Sequence, residues 1–258
     1  MREVWFLAGR EVKSFLRTPL GYAILSVYAL VSGLVFVTLL FILRQQLLQA
    51  TPTAGAPRPP VVSLQLSLVA PYFYNVASLL LFVLPFVTMR AFAEERRSRR
   101  LEMLVSYPLR AWQLVLGKFL GACGFALLLL SVTVIHLLIL ALVSAPELTA
   151  VLGALLGLVL YAITLVAIGV FLSSLVVGQV EAAVLTLGLF LLGAMVSGVL
   201  RPGAAGLGRI IANLSPLYQY QLLSAGLLAP GSLLYFPAVT VLALALTLRG
   251  VDLIKWRG

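Results

Sequence analysis

The sequence is poor in charge and in the side chains that usually carry chemistry. Only 10% of its 258 residues are charged, and it contains one cysteine and one histidine. The single cysteine, Cys123, excludes an intrachain disulfide, and the cysteine pairs and His-Glu-x-x-His pattern of common metal sites are absent. A phosphate-binding loop is absent too, because Gly117-Lys118 is followed by Phe119 and Trp112 stands where its first glycine belongs. The sequence therefore predicts a chain that is not an enzyme and has no nucleotide or metal site of its own.

Apolar residues dominate what is present. They make up 62% of the chain, against roughly 45–50% in a soluble globular domain. A helix needs about 20 apolar residues to cross the hydrocarbon core of a bilayer, and several runs reach or approach that length. The sequence predicts an all-α integral membrane protein with six transmembrane helices, at residues 20–43, 69–89, 119–143, 151–177, 182–200 and 233–248.

The basic residues indicate how these spans are oriented. The formal charge is +10, but Lys and Arg flank the apolar runs instead of forming a water-exposed patch, so nucleic acid is not an expected partner. With six spans and a cytoplasmic N-terminus, fourteen of the eighteen basic residues fall on the cytoplasmic side. This excess is the pattern of the positive-inside rule. We expect both termini in the cytoplasm and the lipid bilayer as the surrounding medium.

The first 17 residues have the pattern of an amphipathic helix. At 100° per residue, one side is apolar and the opposite side is mostly basic, although Phe6 falls on the basic side. The pattern predicts an interfacial helix that lies on the membrane with its basic side at the headgroups. Thr18-Pro19 should end it, because a residue before proline avoids the α region. The apolar side contains Val4, Trp5, Ala8, Val12, Phe15 and Leu16; the opposite side contains Arg2, Glu3, Arg10, Lys13, Ser14 and Arg17.

His136 lies within the third predicted span, close to Ser131 and Thr133. Ionisable residues inside membranes are functional candidates, and a proton relay is one interpretation. A relay usually needs a partner carboxylate, and this span has none. A packed histidine that is hydrogen-bonded to a neighbouring helix is the interpretation that we favour.

The segment 94–108, between the second and third spans, is the most highly charged of the chain. Charge alone is typical of a solvated loop that sets topology, but leucines and a methionine follow the charges directly. A short helix that presents both to the cytosol is suited to docking into a groove of another protein. The candidate docking residues are Glu94, Glu95, Arg97, Arg99, Arg100, Leu101, Glu102, Leu104 and Pro108.

Several motifs, in order along nearly the whole chain, resemble the membrane subunits of type-two ABC exporters. The resemblance includes the permeases of gliding-motility type and their relatives in nitrous-oxide-reductase maturation. The motifs are residues 10–15 (REVKSF) with Pro19, 84–98 (LPFVTMRAFAEERRS), 101–108 (LEMLVSYP), 116–120 (LGKFL) and 214–221 (LSPLYQYQ).

The resemblance implies a permease that forms a homodimer or heterodimer in the cytoplasmic (inner) membrane of a bacterium or archaeon. It implies that 94–108 is a coupling helix for a separate ABC ATPase subunit, which binds the ATP, so that this chain holds no cofactor. Arg99-Arg100 stand where the family commonly has Gly-Thr or similar residues, which affects the expected turn geometry.

Residues 203–231 are partly apolar but are interrupted by Pro216 and Pro230, so they are not expected to cross the membrane. Non-helical backbone at membrane depth must be covered by protein or water. The resemblance implies an external re-entrant helical hairpin here; an ordinary surface loop is the alternative. The candidate residues of this segment are Asn213, Ser215, Pro216 and Tyr218.

The function that we expect from the sequence is an export permease driven through 94–108 by an ATPase subunit. Two other functions stay open. One is a membrane anchor or scaffold that recruits proteins without transport. The other is a proton-coupled secondary carrier that uses His136, although such carriers often contain inverted repeats, and none is convincing here.

Overall fold

The structure, a computed structural model, describes residues 2–49, 65–93, 111–143, 148–199, 213–224 and 230–255. The predicted coupling segment 94–108, with all nine of its candidate docking residues, lies outside the described residues. The segment 203–231 is described at 213–224 and from residue 230 onwards.

The described part of the chain is almost entirely α-helical. A short π-helical turn, Gln65–Val69, precedes α3. The helices are α1 (Arg2–Arg17), α2 (Pro19–Gln49), α3 (Ala70–Thr88), α4 (Ala111–Val143), α5 (Leu148–Leu175), α6 (Gln179–Val199), α7 (Pro216–Ser224) and α8 (Pro230–Lys255).

Five of these helices are long and apolar enough to cross a membrane. The windows that qualify are Pro19–Leu48, Ser67–Thr88, Ala111–Leu142, Leu148–Leu175 and Gly231–Asp252. The fifth predicted span, 182–200, falls on α6, whose apolar part Gln179–Met195 is shorter. The prediction of an all-α membrane protein is therefore confirmed in its fold class.

Helix α5 lies at the centre of the bundle and packs against α3, α4, α6, α7 and α8. Its side chains at Leu158, Tyr161, Leu165 and Val170 are fully buried. Of the membrane-spanning windows, 56% is buried within the protein for α3 and α5, but only 22% for α2 and α8. The bundle therefore has a core of α3 and α5, while α2 and α8 lie at its edge.

Pro19 places the break between the first two helices. Helix α1 ends at Arg17 and α2 begins with Pro19, so only Thr18 lies between them. The Thr18 hydroxyl and backbone N–H both donate to the Phe15 carbonyl, at 3.0 and 3.3 Å. Because Gly21 lacks a Cβ, the chain bends closely here; a Cβ at this position would overlap the Phe15 carbonyl. We call this bend at Thr18 the elbow.

Helix α1 packs lengthwise on the first turns of α4, and this contact is the most extensive between any two of the described elements. Three glycines of α4 make room for it. A Cβ at Gly117 would overlap Leu7, one at Gly121 would overlap Glu11, and one at Gly124 would lie 2.8 Å from Val12. The partners advance together along both helices, so α1 and α4 run parallel.

The packing of α1 on α4 can be compared with the apolar side of α1 that the sequence pattern predicts. Val4, Ala8 and Phe15 are buried, as expected of the apolar side, and Leu7, which was not assigned to it, is buried as well. Trp5, which was placed on that side, is 71% exposed instead. The reason is the direction of the side chain: Leu7, Ala8 and Glu11 meet the α4 glycines, and at 100° per residue Trp5 points about 100° away from them.

We expect Gly121→Ala to detach α1 partially from α4. The added methyl group would overlap Glu11 and lie 3.2 Å from the Ala8 carbonyl, and overpacking of this kind lowers stability by about 1–3 kcal/mol. The matched control is Gly9→Ala in α1, where a Cβ meets nothing within 4 Å. Thermal unfolding of the detergent-purified protein measures the effect. Equal unfolding midpoints for the two variants would contradict the packing described above.

Candidate functional site

The segment that follows α3 leads directly toward the charged residues 94–108, and Ser173 of α5 fixes it. The Ser173 hydroxyl accepts hydrogen bonds from the backbone N–H groups of Phe92 and Ala93, each at 3.2 Å. It also donates to the Met89 carbonyl at 3.2 Å. One buried side chain of the central helix thus holds both sides of this turn, which we call the Met89–Ala93 turn.

Directly before this turn, at Thr88, α3 packs closely on α5. Thr88 is fully buried, and a Cβ at Gly169 of α5 would overlap its side chain. The Thr88 hydroxyl donates to the Leu84 carbonyl at 3.1 Å, so it is satisfied within its own helix. A displacement of the Met89–Ala93 turn would therefore be transmitted to the central helix through a tightly packed contact.

A buried ion pair joins three elements at the same end of the bundle. The Lys118 Nζ of α4 lies 3.4 Å from Glu11 Oε1 of α1 and 5.3 Å from the centre of the Phe92 ring. Lys118 is only 3% exposed, whereas Glu11 is 22% exposed. The ammonium group is therefore stabilised by a carboxylate on one side and an aromatic face on the other.

Arg90 lies at the elbow. Its Nη1 donates to the Thr18 hydroxyl at 3.4 Å, which joins the turn after α3 to the junction of α1 and α2. Its Nε is buried and has no hydrogen-bond partner within the part of the chain that the structure describes. Arg90, Lys118 and Arg17 each border an apolar run, and we call the end of the bundle that carries them the basic end.

At the opposite end, α7 is inserted among the ends of α5, α6 and α8. The Tyr220 hydroxyl donates to the Ala154 carbonyl at 3.4 Å, and a Cβ at Gly193 of α6 would be 3.5 Å from the Ser215 hydroxyl. Ala154 is six residues from the start of α5, and Gly193 is six residues from the end of α6. At 1.5 Å per residue, α7 packs ~9 Å below both helix ends.

Side-chain hydrogen bonds hold this insertion in place. Gln219 Nε2 donates to the Asn213 carbonyl at 2.9 Å, and its Oε1 accepts from the Ser232 hydroxyl at 2.7 Å. The Tyr235 hydroxyl donates to the Leu214 carbonyl. A single buried glutamine thus joins the residues before α7 to the start of α8.

A comparison with protein families matches residues 43–248 to the ABC-2 family transporter proteins. The match covers more than half of the chain. The chain belongs to this family. No curated protein matches the sequence.

Membership makes the chain the membrane-embedded permease component of an ABC transporter, a class of transport subunit that generally has no catalytic activity of its own. In this family the permease works with an ABC ATPase. The apolar helices agree with this assignment, since the permease crosses the membrane several times.

The predicted residues at the opposite end lie in or just before α7, and those of the coupling segment lie outside the described residues. Ser215 is buried, Pro216 begins α7, Tyr218 is half-buried and Asn213 is exposed. Sequence reasoning missed Gln219, whose amide makes the central contacts. It also missed the partnership of Glu11 and Lys118, because nothing in the sequence links two residues so far apart.

His136 is packed and hydrogen-bonded. The Tyr72 hydroxyl of α3 lies 2.8 Å from its Nδ1, and the Phe36 ring of α2 stacks on the imidazole with centres 5.2 Å apart. Beside it, the hydroxyls of Tyr28 and Thr133 are 2.8 Å apart. The helices α2, α3 and α4 that form this cluster contain no carboxylate. The favoured interpretation of His136 as a packed residue is confirmed.

We expect Tyr72→Phe to lower the free energy of unfolding by about 0.6–1 kcal/mol, the usual value of a hydrogen bond between membrane helices. The matched control is Tyr74→Phe in the same helix, whose side chain is 40% exposed. Thermal unfolding in detergent compares the two variants. A loss as large for Tyr74→Phe would show that the Tyr72 hydroxyl does not lock these helices.

Proposed function

We propose that the permease is the membrane subunit of an ATP-driven exporter, coupled to a separate ATPase through residues 94–108. The observation that carries this proposal is the anchoring of the segment's entry point. The chain passes into its most charged segment from Ala93, which is bonded to the central helix by Ser173. A loop that only sets topology needs no such attachment.

The contacts at the basic end support a path for force from this segment. The Met89–Ala93 turn is bonded to α5, and Phe92 also lies against Lys118, whose partner Glu11 is on α1. Packed elements move between discrete arrangements instead of deforming continuously. Closure of the ATPase would therefore reorient α5 and α1 together, and binding of nucleotide would favour one arrangement of the bundle.

We further propose six crossings, with α6 as the fifth. Its 21 residues, Gln179–Val199, extend about 31 Å, which matches the roughly 30 Å hydrocarbon core. Six crossings return the C-terminus to the side of the N-terminus, and the excess of basic residues makes that side the cytoplasm. The membrane is then the cytoplasmic membrane of a bacterium or archaeon, and the coupling segment faces the cytosol.

In this topology α7 lies on the external side. Its packing ~9 Å below the ends of α5 and α6 supports a re-entrant segment over a surface loop. Its buried residues, among them Leu217, Tyr220 and Leu223, are covered by protein, as the backbone of a non-spanning segment at membrane depth requires. We assign this segment to the external exit of the transport path.

The permease is proposed to act as a homodimer or heterodimer, of the type found in gliding-motility and nitrous-oxide-reductase maturation systems. The small buried share of α2 and α8 leaves apolar surface that lipid or a second permease would cover. The ATPase binds the ATP, and the permease holds no cofactor.

Reconstitution with and without a candidate ABC ATPase subunit tests the proposal. We expect ATP-dependent export from vesicles that contain both subunits, and none with an ATPase that is unable to hydrolyse ATP. Recruitment of the ATPase without transport would indicate a scaffold instead. Transport that continues without hydrolysis but stops when the proton gradient is removed would indicate a proton-coupled carrier.

A further inference from the structure

The exposed side of α1 near the elbow carries basic residues that no contact within the described protein explains. Lys13 and Arg17 are one turn apart on the same side of the helix, and both are exposed. The opposite side of α1 is occupied by its packing on α4. The two cations are therefore presented outward from a helix that is itself fixed.

A third cation lies at the same place. Arg90 reaches the elbow from the turn after α3 and donates to Thr18, the residue next to Arg17. Its buried Nε is a donor without an acceptor in the described part of the chain. Because that atom is inaccessible from outside, only the terminal nitrogens of the half-buried Arg90 side chain can meet an external anion.

The position of the elbow indicates which anions these three cations would meet. Pro19 begins α2, whose first charge after the elbow is Arg44, and α3 contains no charge before Arg90. The elbow thus lies where two spans enter the hydrocarbon. Oxygen acceptors with negative charge at this boundary are the phosphates of lipid headgroups, which attract basic residues at the cytoplasmic leaflet.

We propose that Lys13, Arg17 and Arg90 form a binding site for the headgroup of an anionic phospholipid in the leaflet at the basic end. Arg90 contributes its terminal guanidinium nitrogens at the elbow, and the two residues of α1 add long-range attraction. The site would tie the membrane surface to α1 and, through Glu11 and Lys118, to the Met89–Ala93 turn. This proposal concerns lipid binding by the permease alone, so it does not depend on ATP-driven transport.

Lipid retention by the delipidated, detergent-purified permease tests the site. Phosphatidylglycerol and phosphatidylcholine are added in equal amounts, and native mass spectrometry measures the ratio bound. We expect the wild type to prefer phosphatidylglycerol and Arg17→Gln to reduce that preference about fivefold, with a similar further loss for Lys13→Gln. High salt should weaken the preference of the wild type.

The control is Arg44→Gln, which removes the same charge from an exposed position near the other end of α2. It should leave the preference unchanged. Equal preferences in Arg17→Gln and Arg44→Gln would overturn the proposal. An Arg17→Gln variant that keeps its lipid preference but loses binding to the ATPase would also overturn it, because this side of α1 would then be a contact for the ATPase.

Discussion

Replacement of Leu101 and Leu104 together by alanine is expected to weaken binding of the ATPase to the permease by on the order of a hundredfold. Full burial of one leucine contributes about 1.5–3 kcal/mol, and two such residues in a docking helix supply at least 3 kcal/mol. ATPase stimulation by the permease should fall with binding. Titration of the ATPase against permease in nanodiscs measures the first quantity, and phosphate release measures the second.

The control replaces two leucines elsewhere with the same loss of apolar surface. Leu47 and Leu48, near the far end of α2, are 53% and 61% exposed, so Leu47→Ala/Leu48→Ala should leave ATPase binding unchanged. If Leu101→Ala/Leu104→Ala binds and stimulates the ATPase like the wild type, these leucines do not dock. Substitution of Arg97 in the same segment provides an independent check of the charged side.

Removal of Glu11 is expected to lower the free energy of unfolding by about 3 kcal/mol, because it takes away the carboxylate that lies 3.4 Å from the buried Lys118 ammonium. Lys118→Met should cost less, since the Glu11 carboxylate that remains is 22% exposed and is partly solvated. The double variant Glu11→Ala/Lys118→Met should recover much of the stability that Glu11→Ala loses. Thermal or denaturant unfolding in detergent gives the three values.

Glu3 provides the matched control, since it is a second glutamate of α1 bonded to α4. Its carboxylate accepts from Gln113 Nε2 at 3.0 Å, but the contact is exposed, so Glu3→Ala should cost less than 1 kcal/mol. Equal losses for Glu3→Ala and Glu11→Ala would mean that the Glu11–Lys118 pair has no special role. A double variant no more stable than Glu11→Ala would lead to the same conclusion.

The helices were predictable because each depends on local pattern. Uncharged runs of membrane length predicted α2 to α5, and Pro19 predicted the elbow. The sequence predicted that α1 is an amphipathic helix, but not that it packs on α4. An apolar side shows only that something covers it, not which element does. The glycines at 117, 121 and 124 that accept it were hidden within a run of apolar residues.

The candidate site was predictable only in part, because its contacts join residues that are far apart in the chain. In the sequence, Lys118 counted only as one of the basic residues that set topology. Its partner Glu11 lies 107 residues earlier, too far away for a local pattern to link them. Ser173 of α5 carried no signal, since a serine in an apolar span usually bonds within its own helix. His136 stood out in the sequence because it is the single histidine. Its hydrogen bond with Tyr72 became apparent only from the packing of α3 on α4.

The central claim is that residues 94–108 face the cytosol and dock the ATPase. The most direct test places a cysteine at Ser98 in a Cys123→Ala background and treats oriented membranes with a membrane-impermeant thiol reagent. We expect labelling from the cytoplasmic side alone and protection by the bound ATPase. Labelling only from the external side, or no labelling from either side until the membrane is dissolved, would contradict the claim.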